Sequence, residues 1–270
     1  MKVVLFCGGL GMRLRDHADN VPKPMVPIGP RPILWHIMKY YAHFGHRDFI
    51  LCLGYRGDTI RQFFLDYEEC MSNDFVLTEG GRTRELLTSD IGDWRITFVD
   101  TGLNASIGER LLAVRHHLEG EDVFLANYAD GLTNLHLPDQ IAHFDRHQKL
   151  AGFLCVKPNI SYHFVVSDAD GRVTAFKDLA QADLRVNGGF FIFRRGFWDY
   201  FQAGEELVLE PFRRLIDAKE LLAYHYDGFW MAMDTAKDKR RIDDLYADGG
   251  ASWQVWKAHR PRPSRVPVRL

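Results

Sequence analysis

Apolar residues along the chain fall into two rhythms that alternate. Short β-branched and aromatic runs read as strands at Val3 to Cys7, Phe49 to Leu53, Ile96 to Asp100, Val123 to Asn127 and Gly152 to Val156. Between them apolar positions recur at helical spacing. One set is Ile33, Leu34, Ile37, Met38, Tyr41 and Phe44, and a second is Ile60, Phe63, Phe64 and Tyr67. Leu111, Leu112, Val114 and Leu118 form a third, and Ile141 with Phe144 a fourth. Strands separated by helices of this length build βαβ units, so the pattern predicts an α/β fold with a mostly parallel sheet covered by helices. Ligands on such sheets bind beyond the carboxyl ends of the strands.

After Val156 the rhythm changes. Short strands at Phe164 to Val166, Val173 to Phe176 and Val186 to Phe193, with the turn Asp168-Ala169-Asp170-Gly171, predict a smaller antiparallel β region serving as acceptor site or lid. Helices are expected near Pro211 to Lys219 and Ala236 to Tyr246. No internal repeat or low-complexity linker interrupts the chain, so residues 1–258 are expected to form a single domain. Residues 259–270 are basic, proline-rich and free of acids, which suits a solvated tail or an arm packed on a neighbouring subunit.

Composition narrows the partners. With 270 residues, 46% of them hydrophobic, the chain has ample material for a core. A formal charge of −2 gives no general attraction to nucleic acid or an anionic membrane, so neither is an expected partner. A polyanionic ligand would need a local cluster of cations. Cys7, Cys52, Cys70 and Cys155 are far apart, and three of them lie in strand-like runs, as small core residues of a reducing compartment do. Gly8 interrupts the first apolar stretch before it reaches signal-peptide length, and no segment approaches membrane-spanning length. A cytoplasmic location is expected.

The first strand empties into Gly8-Gly9-Leu10-Gly11-Met12-Arg13-Leu14, followed by Pro22-Lys23-Pro24-Met25. Three glycines in four positions let backbone N–H groups approach an anion, and Arg13 and Lys23 add positive charge, which together read as a triphosphate cradle. The Pro-Lys-Pro frame is expected to hold Lys23 in an extended backbone. Neither the Walker pattern nor the dinucleotide fingerprint fits, because Leu14 stands where the latter needs its third glycine. Asp130 follows an apolar strand and precedes Gly131, while Asp234 ends the apolar segment from Trp230 to Met233. Two such carboxylates suit a magnesium ion, but spacing alone equally allows an ordinary turn aspartate and a helix N-cap before Ala236. Asp139, His143 and His147, and the pair His116-His117, read as solvated helix surface. Trp35, Trp94 and Trp198 read as core.

Gly-Gly-Leu-Gly-x-Arg-Leu followed by Pro-Lys-Pro-Met resembles the signature of the sugar-phosphate nucleotidyltransferases. Further strings narrow the branch: Pro32 to Met38, Cys52 to Gly57, Asp100-Thr101-Gly102, Asn187 to Phe191, and Gly228 to Trp230 with Met233-Asp234-Thr235. These are similar to the glucose-1-phosphate cytidylyltransferases, with agreement from Lys2 to about Trp256. The resemblance implies a Rossmann-like sheet with a nucleotide-binding half over about 1–156 and an acceptor-binding half over 157–258. It implies transfer of a nucleoside monophosphate from CTP to a sugar-1-phosphate, glucose-1-phosphate by default, with Mg2+ as cofactor and pyrophosphate as product. A homo-oligomer is also implied.

On the same basis Arg13, Lys23 and Asp130 are the candidate catalytic residues, and Asp130 and Asp234 the metal ligands. Nucleotide contacts are implied for Gly8, Gly9, Leu10, Gly11, Arg13, Lys23, Gly54, Tyr55, Arg110 and Asp130, with the Ser106 to Arg110 region facing base or ribose. The acceptor is assigned to Tyr128, Lys177, Asn187 and Gly188.

Four departures bear on activity. Met12 replaces the usual threonine, and Glu109 stands where relatives have glycine in Thr-Gly-Gly-Arg-Leu. Leu179 takes the place of a lysine on the sugar phosphate, a contact that Lys177, Lys157 or Arg185 would have to supply. Phe164 replaces a glycine beside the sugar. Two alternatives therefore stand beside the default: the same chemistry on a different small phosphate or phosphonate, and a nucleotide-binding regulatory homologue without turnover.

Overall fold

The computed structural model describes residues 1–9, 21–158, 163–178 and 184–257. In chain order the first strands are β1 (Val3–Phe6), β2 (Pro27–Ile28), β3 (Arg31–Pro32), β4 (Asp48–Leu53), β5 (Phe75–Thr78), β6 (Thr83–Leu86), β7 (Arg95–Asp100) and β8 (Val123–Tyr128). They are followed by β9 (Gly131–Thr133), β10 (Ala151–Val156), β11 (His163–Ser167), β12 (Val173–Asp178), β13 (Val186–Asn187), β14 (Phe191–Arg194), β15 (Leu221–Tyr226) and β16 (Trp230–Ala232). The helices are α1 (Ile33–His43), α2 (Gly57–Leu65), α3 (Ile107–Ala113), α4 (Leu137–His147), α5 (Glu210–Asp217) and α6 (Ala236–Ala247).

Eight strands make one sheet. β1 lies between β4 and β8, parallel to both, and β7 continues in parallel beyond β4. On the other side β14 is antiparallel to β8 and to β10, β13 is antiparallel to β10, and β15 runs parallel to β10. Six strands therefore point one way, and the β13 and β14 row between β8 and β10 points the other. The chain steps outward from β1 to β4 and β7, then returns to β8 on the opposite flank of β1. That reversal opens a crevice at the carboxyl ends of β1 and β8, where open α/β sheets bind ligands.

Both faces of the central strands are buried, so these strands read as continuous apolar runs. Val3, Leu5 and Leu51 face a core that includes Ile33, Leu34, Ile37 and Met38 of α1. Val4, Phe6 and Cys52 face a second core with Leu111, Phe191, Phe193 and Phe197. α1 ends before Gly45, whose φ of +87° is the left-handed conformation that glycine adopts without a Cβ penalty. α3 and α6 each begin with a capping box, Ser106 with Glu109 and Thr235 with Asp238.

Three expectations change. The single strand from Val186 to Phe193 is broken into β13 and β14, because Gly189 and Phe190 turn left-handed at φ 75° and 49°. The second half is not only antiparallel: β15, which its mixed sequence Leu-Leu-Ala-Tyr-His-Tyr conceals, extends the parallel sheet. The apolar series Leu111 to Leu118 divides into α3 and a short 3-10 turn at Arg115–Leu118. The hairpin of β11 and β12 is antiparallel. The four cysteines are free thiols, two of them buried. Among the described residues no helix is long and apolar enough to cross a membrane. The tail from 259 onward lies outside the described residues.

Candidate active site

Three loops converge at the carboxyl edge of the sheet: Gly8-Gly9 after β1, Gly54-Tyr55 after β4 and Ala129-Asp130 after β8. Asp130 sits in the tight turn from β8 into β9, which pairs antiparallel with β16 in the register Gly131 to Ala232 and Thr133 to Trp230. The pairing extends one step, since the Met233 N–H donates to the Asp130 carbonyl at 3.0 Å. This ladder brings Asp234 beside Asp130 across more than a hundred residues. Asp234 is not the N-cap of α6; Thr235 caps that helix, its hydroxyl accepting from the Asp238 N–H. The Asp234 carboxylate is left for other work.

That work is visible at Lys23. Its ammonium donates to Asp130 Oδ2 at 2.5 Å and to Asp234 Oδ1 at 2.6 Å. Lys23 is not extended as expected but opens a 3-10 turn, Lys23–Met25, closed by the Met25 N–H on the Pro22 carbonyl at 2.8 Å with Pro24 buried beneath. Burial by itself would lower the lysine pKa, but the charges and hydrogen bonds of Asp130 and Asp234 outweigh it and the pKa is raised. A single positive charge thus holds together two carboxylates that would otherwise repel. Among the described residues no group of three or more His, Cys, Asp or Glu side chains could hold a metal. Magnesium needs fewer, because it takes one or two carboxylates and fills its remaining positions with water and phosphate oxygens. A donor pair that already gathers around one cation fits that requirement.

Gly9, Lys23, Tyr128 and Asp130 line a cavity of ≈ 130 Å³ here, with Phe6 and Ile107 as its apolar wall. A larger cavity of ≈ 740 Å³ lies among Arg47, Asp93 and Trp94, which precede β4 and β7 at the amino edge of the sheet. The Lys23 ammonium, Asp130 and the switch point of the sheet are at the smaller one.

Arg110 is buried beneath the loops that follow β1, β4 and β7, 3% exposed. Its guanidinium donates to the carbonyls of Leu53, Gly102, Leu103 and Gly8 and to the Thr101 hydroxyl, at 2.7–3.2 Å. It ties together the ends of β1, β4 and β7. Gly8 is glycine for this reason, since a Cβ there would lie 2.0 Å from Arg110 Nη1. Its free face receives the guanidinium, whereas among the described residues nothing lies within 4 Å of the corresponding position on Gly9. Gly54 meets the same guanidinium and the Gly8 carbonyl, and the Tyr55 N–H reaches that carbonyl at 3.4 Å. The Glu109 carboxylate accepts the Ser106 N–H at 2.7 Å in the capping box, which gives this departure a local structural role.

The acceptor candidates Tyr128, Asn187 and Gly188 are adjacent. The Asn187 side chain accepts the Gly189 N–H at 2.9 Å and donates to the Tyr128 hydroxyl at 3.4 Å. Burial, more than nearby charges, pushes the Tyr128 phenol up to about 12, so it stays protonated. Two residues missed in the sequence hold the turn. Asn127 Oδ1 accepts the Phe190 N–H at 2.9 Å, and Trp230 Nε1 donates to the Gly188 carbonyl at 2.9 Å. A polar amide inside the apolar run Val123 to Tyr128 was the available signal for the first. Lys177 lies on β12, opposite Phe164 on β11. Leu10, Gly11, Met12, Arg13 and Leu179 lie outside the described residues.

The family model described as Nucleotidyl transferase matches residues 2–242. Over 260 residues the chain is 34% identical to a protein of Bacillus subtilis (strain 168) named probable glucose-1-phosphate cytidylyltransferase, spanning 95% of this chain and 100% of that one. It is 35% identical over 259 residues to the glucose-1-phosphate cytidylyltransferase of Salmonella typhi, again spanning 95% and 100%. Among solved structures, UDP-glucose pyrophosphorylase complexed with UDP-glucose matches with a TM-score of 0.66 at 14% identity, covering 92% of this chain and 98% of that one. At that identity the likeness is one of fold.

Proposed function

The chain belongs to the nucleotidyl transferase family, and from that premise we propose that it transfers the cytidylyl group of CTP to glucose-1-phosphate, with magnesium, releasing pyrophosphate. The observation that carries the reading is the Lys23 ammonium held between Asp130 and Asp234 at the switch point of the sheet. In this reaction an oxygen of the acceptor phosphate attacks the α-phosphorus of CTP, and the bond to the β-phosphate breaks. Two anions have to meet, so the task is alignment and neutralisation.

Asp130 and Asp234 are the residues that would hold magnesium, which when bound neutralises phosphate oxygens and aligns them for in-line displacement. Lys23 stays protonated with its raised pKa and supplies charge to the same phosphates once its carboxylate partners are engaged elsewhere. Arg110 keeps the three nucleotide-side loops in register through backbone carbonyls. Tyr128 and the Asn187-Gly188 turn offer a hydroxyl, an amide and backbone groups to the acceptor. The identities of 34% and 35% over the full length of two proteins named as cytidylyltransferases support CTP as donor and glucose-1-phosphate as acceptor.

Pyrophosphate release measured with each of the four nucleoside triphosphates, magnesium and glucose-1-phosphate tests the reading. CTP is expected to give the fastest release, and no release with any triphosphate contradicts it. Asp130→Asn is expected to lower turnover by at least about a hundred-fold with the far-UV circular dichroism spectrum retained. Near-normal turnover would remove Asp130 from the site.

A further inference from the structure

Beyond Tyr128 and Asn187, away from Asp130, the carboxyl edge of the sheet carries a second charged cluster. Arg185 Nη2 pairs with Asp227 Oδ1 at 2.9 Å, and Lys157 Nζ lies 3.9 Å from the same oxygen. Two cations share one carboxylate. Arg185 also reaches the carbonyls of Cys155 and Tyr226, each at 3.4 Å, so its guanidinium spans the ends of β10 and β15.

Register places this cluster on the same face as the acceptor turn. Cys155 is opposite Asn187 in the antiparallel pairing of β10 and β13, which brings Lys157 level with Arg185 two residues further on. Cys155 is beside His225 in the parallel pairing of β10 and β15, which brings Asp227 level with Lys157. Side chains two apart on a strand share a face, so Arg185, Lys157 and Asp227 form one row across the sheet, on the same face as Asn187 one step further in. At ~4.8 Å per strand, β10 lies about 10 Å from β8, whose end carries Tyr128 and leads to Asp130. That separation is comparable to the length of a phosphorylated hexose. Lys157 and Asp227 are 53% and 65% exposed at the side chain against 18% for Arg185, so the row opens outward with the guanidinium fixed at its base.

We infer that Arg185 and Lys157 form a subsite for an anionic group at the far end of the acceptor, and that the preferred acceptor carries a second acidic group remote from its attacking phosphate. This rests on the cytidylyltransfer reading and adds the acceptor class to it. Among the described residues Asp227 is the only carboxylate paired with both cations, which leaves an excess of positive charge at this end of the sheet. A carboxylate or a second phosphate matches it, whereas the neutral hydroxymethyl group of glucose-1-phosphate does not. Planar two-point recognition of such an anion suits a guanidinium better than an ammonium.

The experiment measures kcat/KM with CTP for glucose-1-phosphate, glucuronic acid 1-phosphate and glucose 1,6-bisphosphate. At least one acidic acceptor is expected to exceed glucose-1-phosphate by about ten- to a hundred-fold, through KM, and the two acidic arms separate a carboxylate from a phosphate preference. Arg185→Ala is expected to collapse that ratio toward one, and Arg185→Lys to retain part of it. A residue that only supports the fold would lower all three acceptors together and leave the ratio unchanged, which would overturn the inference. So would a wild-type ratio of one or less, a result that needs no variant to fold. Product from glucose-1-phosphate without gain for either acid overturns this inference alone, whereas no product from any of the three overturns the cytidylyltransfer reading and this inference with it.

Discussion

Replacing Lys23 by alanine removes a cation that touches two carboxylates, at 2.5 Å and 2.6 Å. Hydrogen bonds to charged groups contribute about 1.5–3 kcal/mol where water is excluded, and exposed ion pairs about 0.2–1 kcal/mol. Side-chain exposures of 16% for Lys23, 25% for Asp130 and 44% for Asp234 put the first pair between these limits and the second near the lower one. The expected loss of stability is on the order of 1–3 kcal/mol, or roughly 2–12 °C in Tm for a chain of this size. Because the lysine pKa is raised above 10.5, this contribution is complete below that pH and disappears only as pH rises through the folded value. The wild-type and variant curves should therefore stay parallel between about pH 6 and 9. Magnesium gives the sharper readout. The variant leaves two carboxylates facing each other without a cation, so magnesium chloride is expected to raise its Tm more than that of the wild type, while turnover falls by about 10²–10³. A variant that melts with the wild type, responds equally to magnesium and turns over within a few-fold of it would refute the reasoning.

Gly8→Ala would drive a methyl group into the Arg110 guanidinium and leave buried carbonyls without their donor, so a loss of about 2–4 kcal/mol in urea denaturation and a raised KM for CTP are expected; an unaffected KM would separate Arg110 from the nucleotide side. His36 is 2% exposed, and burial lowers its pKa from 6.5 to about 4. The unfolded chain takes up this proton first as pH falls, so stability is full above pH 6.5 and is lost toward pH 4, the loss being on the order of 1 kcal/mol by pH 5.5. Denaturation of His36→Asn should show a shallower pH dependence over that window, and an identical slope would count against it. Trp230→Phe removes one hydrogen bond on the acceptor turn and should raise the acceptor KM about two- to ten-fold; a rise in the CTP KM instead would place the indole on the wrong side.

The central sheet was legible because β1, β4 and β8 are buried on both faces, and their apolar runs, with that of β10, have few rivals. β15 was not, since the mixed sequence Leu-Leu-Ala-Tyr-His-Tyr also fits a half-exposed loop. The break at Gly189-Phe190 is a tertiary effect: a non-glycine residue holds a φ of 49° because Asn127 of another strand accepts its N–H, and local propensity carries no trace of that. At the site, residue types pointed to Asp130, Asp234 and Lys23 as separate candidates, but only the β9 and β16 ladder shows how they meet. Gly8 was read as a position of close approach to an anion, and the structure adds a second reason for glycine there: the guanidinium of Arg110, a hundred residues away, occupies the place of a Cβ. The Arg185, Lys157 and Asp227 row depends on register across three strands, which a linear sequence does not display.

The most direct test of the account is the position of the divalent cation. Crystals grown with a non-hydrolysable CTP analogue and Mn2+ in place of Mg2+ allow it to be located by anomalous scattering. The account predicts a peak bridged by the carboxylates of Asp130 and Asp234, with the Lys23 ammonium displaced from between them onto phosphate oxygens. A peak elsewhere, or a Lys23 still seated between the two carboxylates with nucleotide bound, would contradict it.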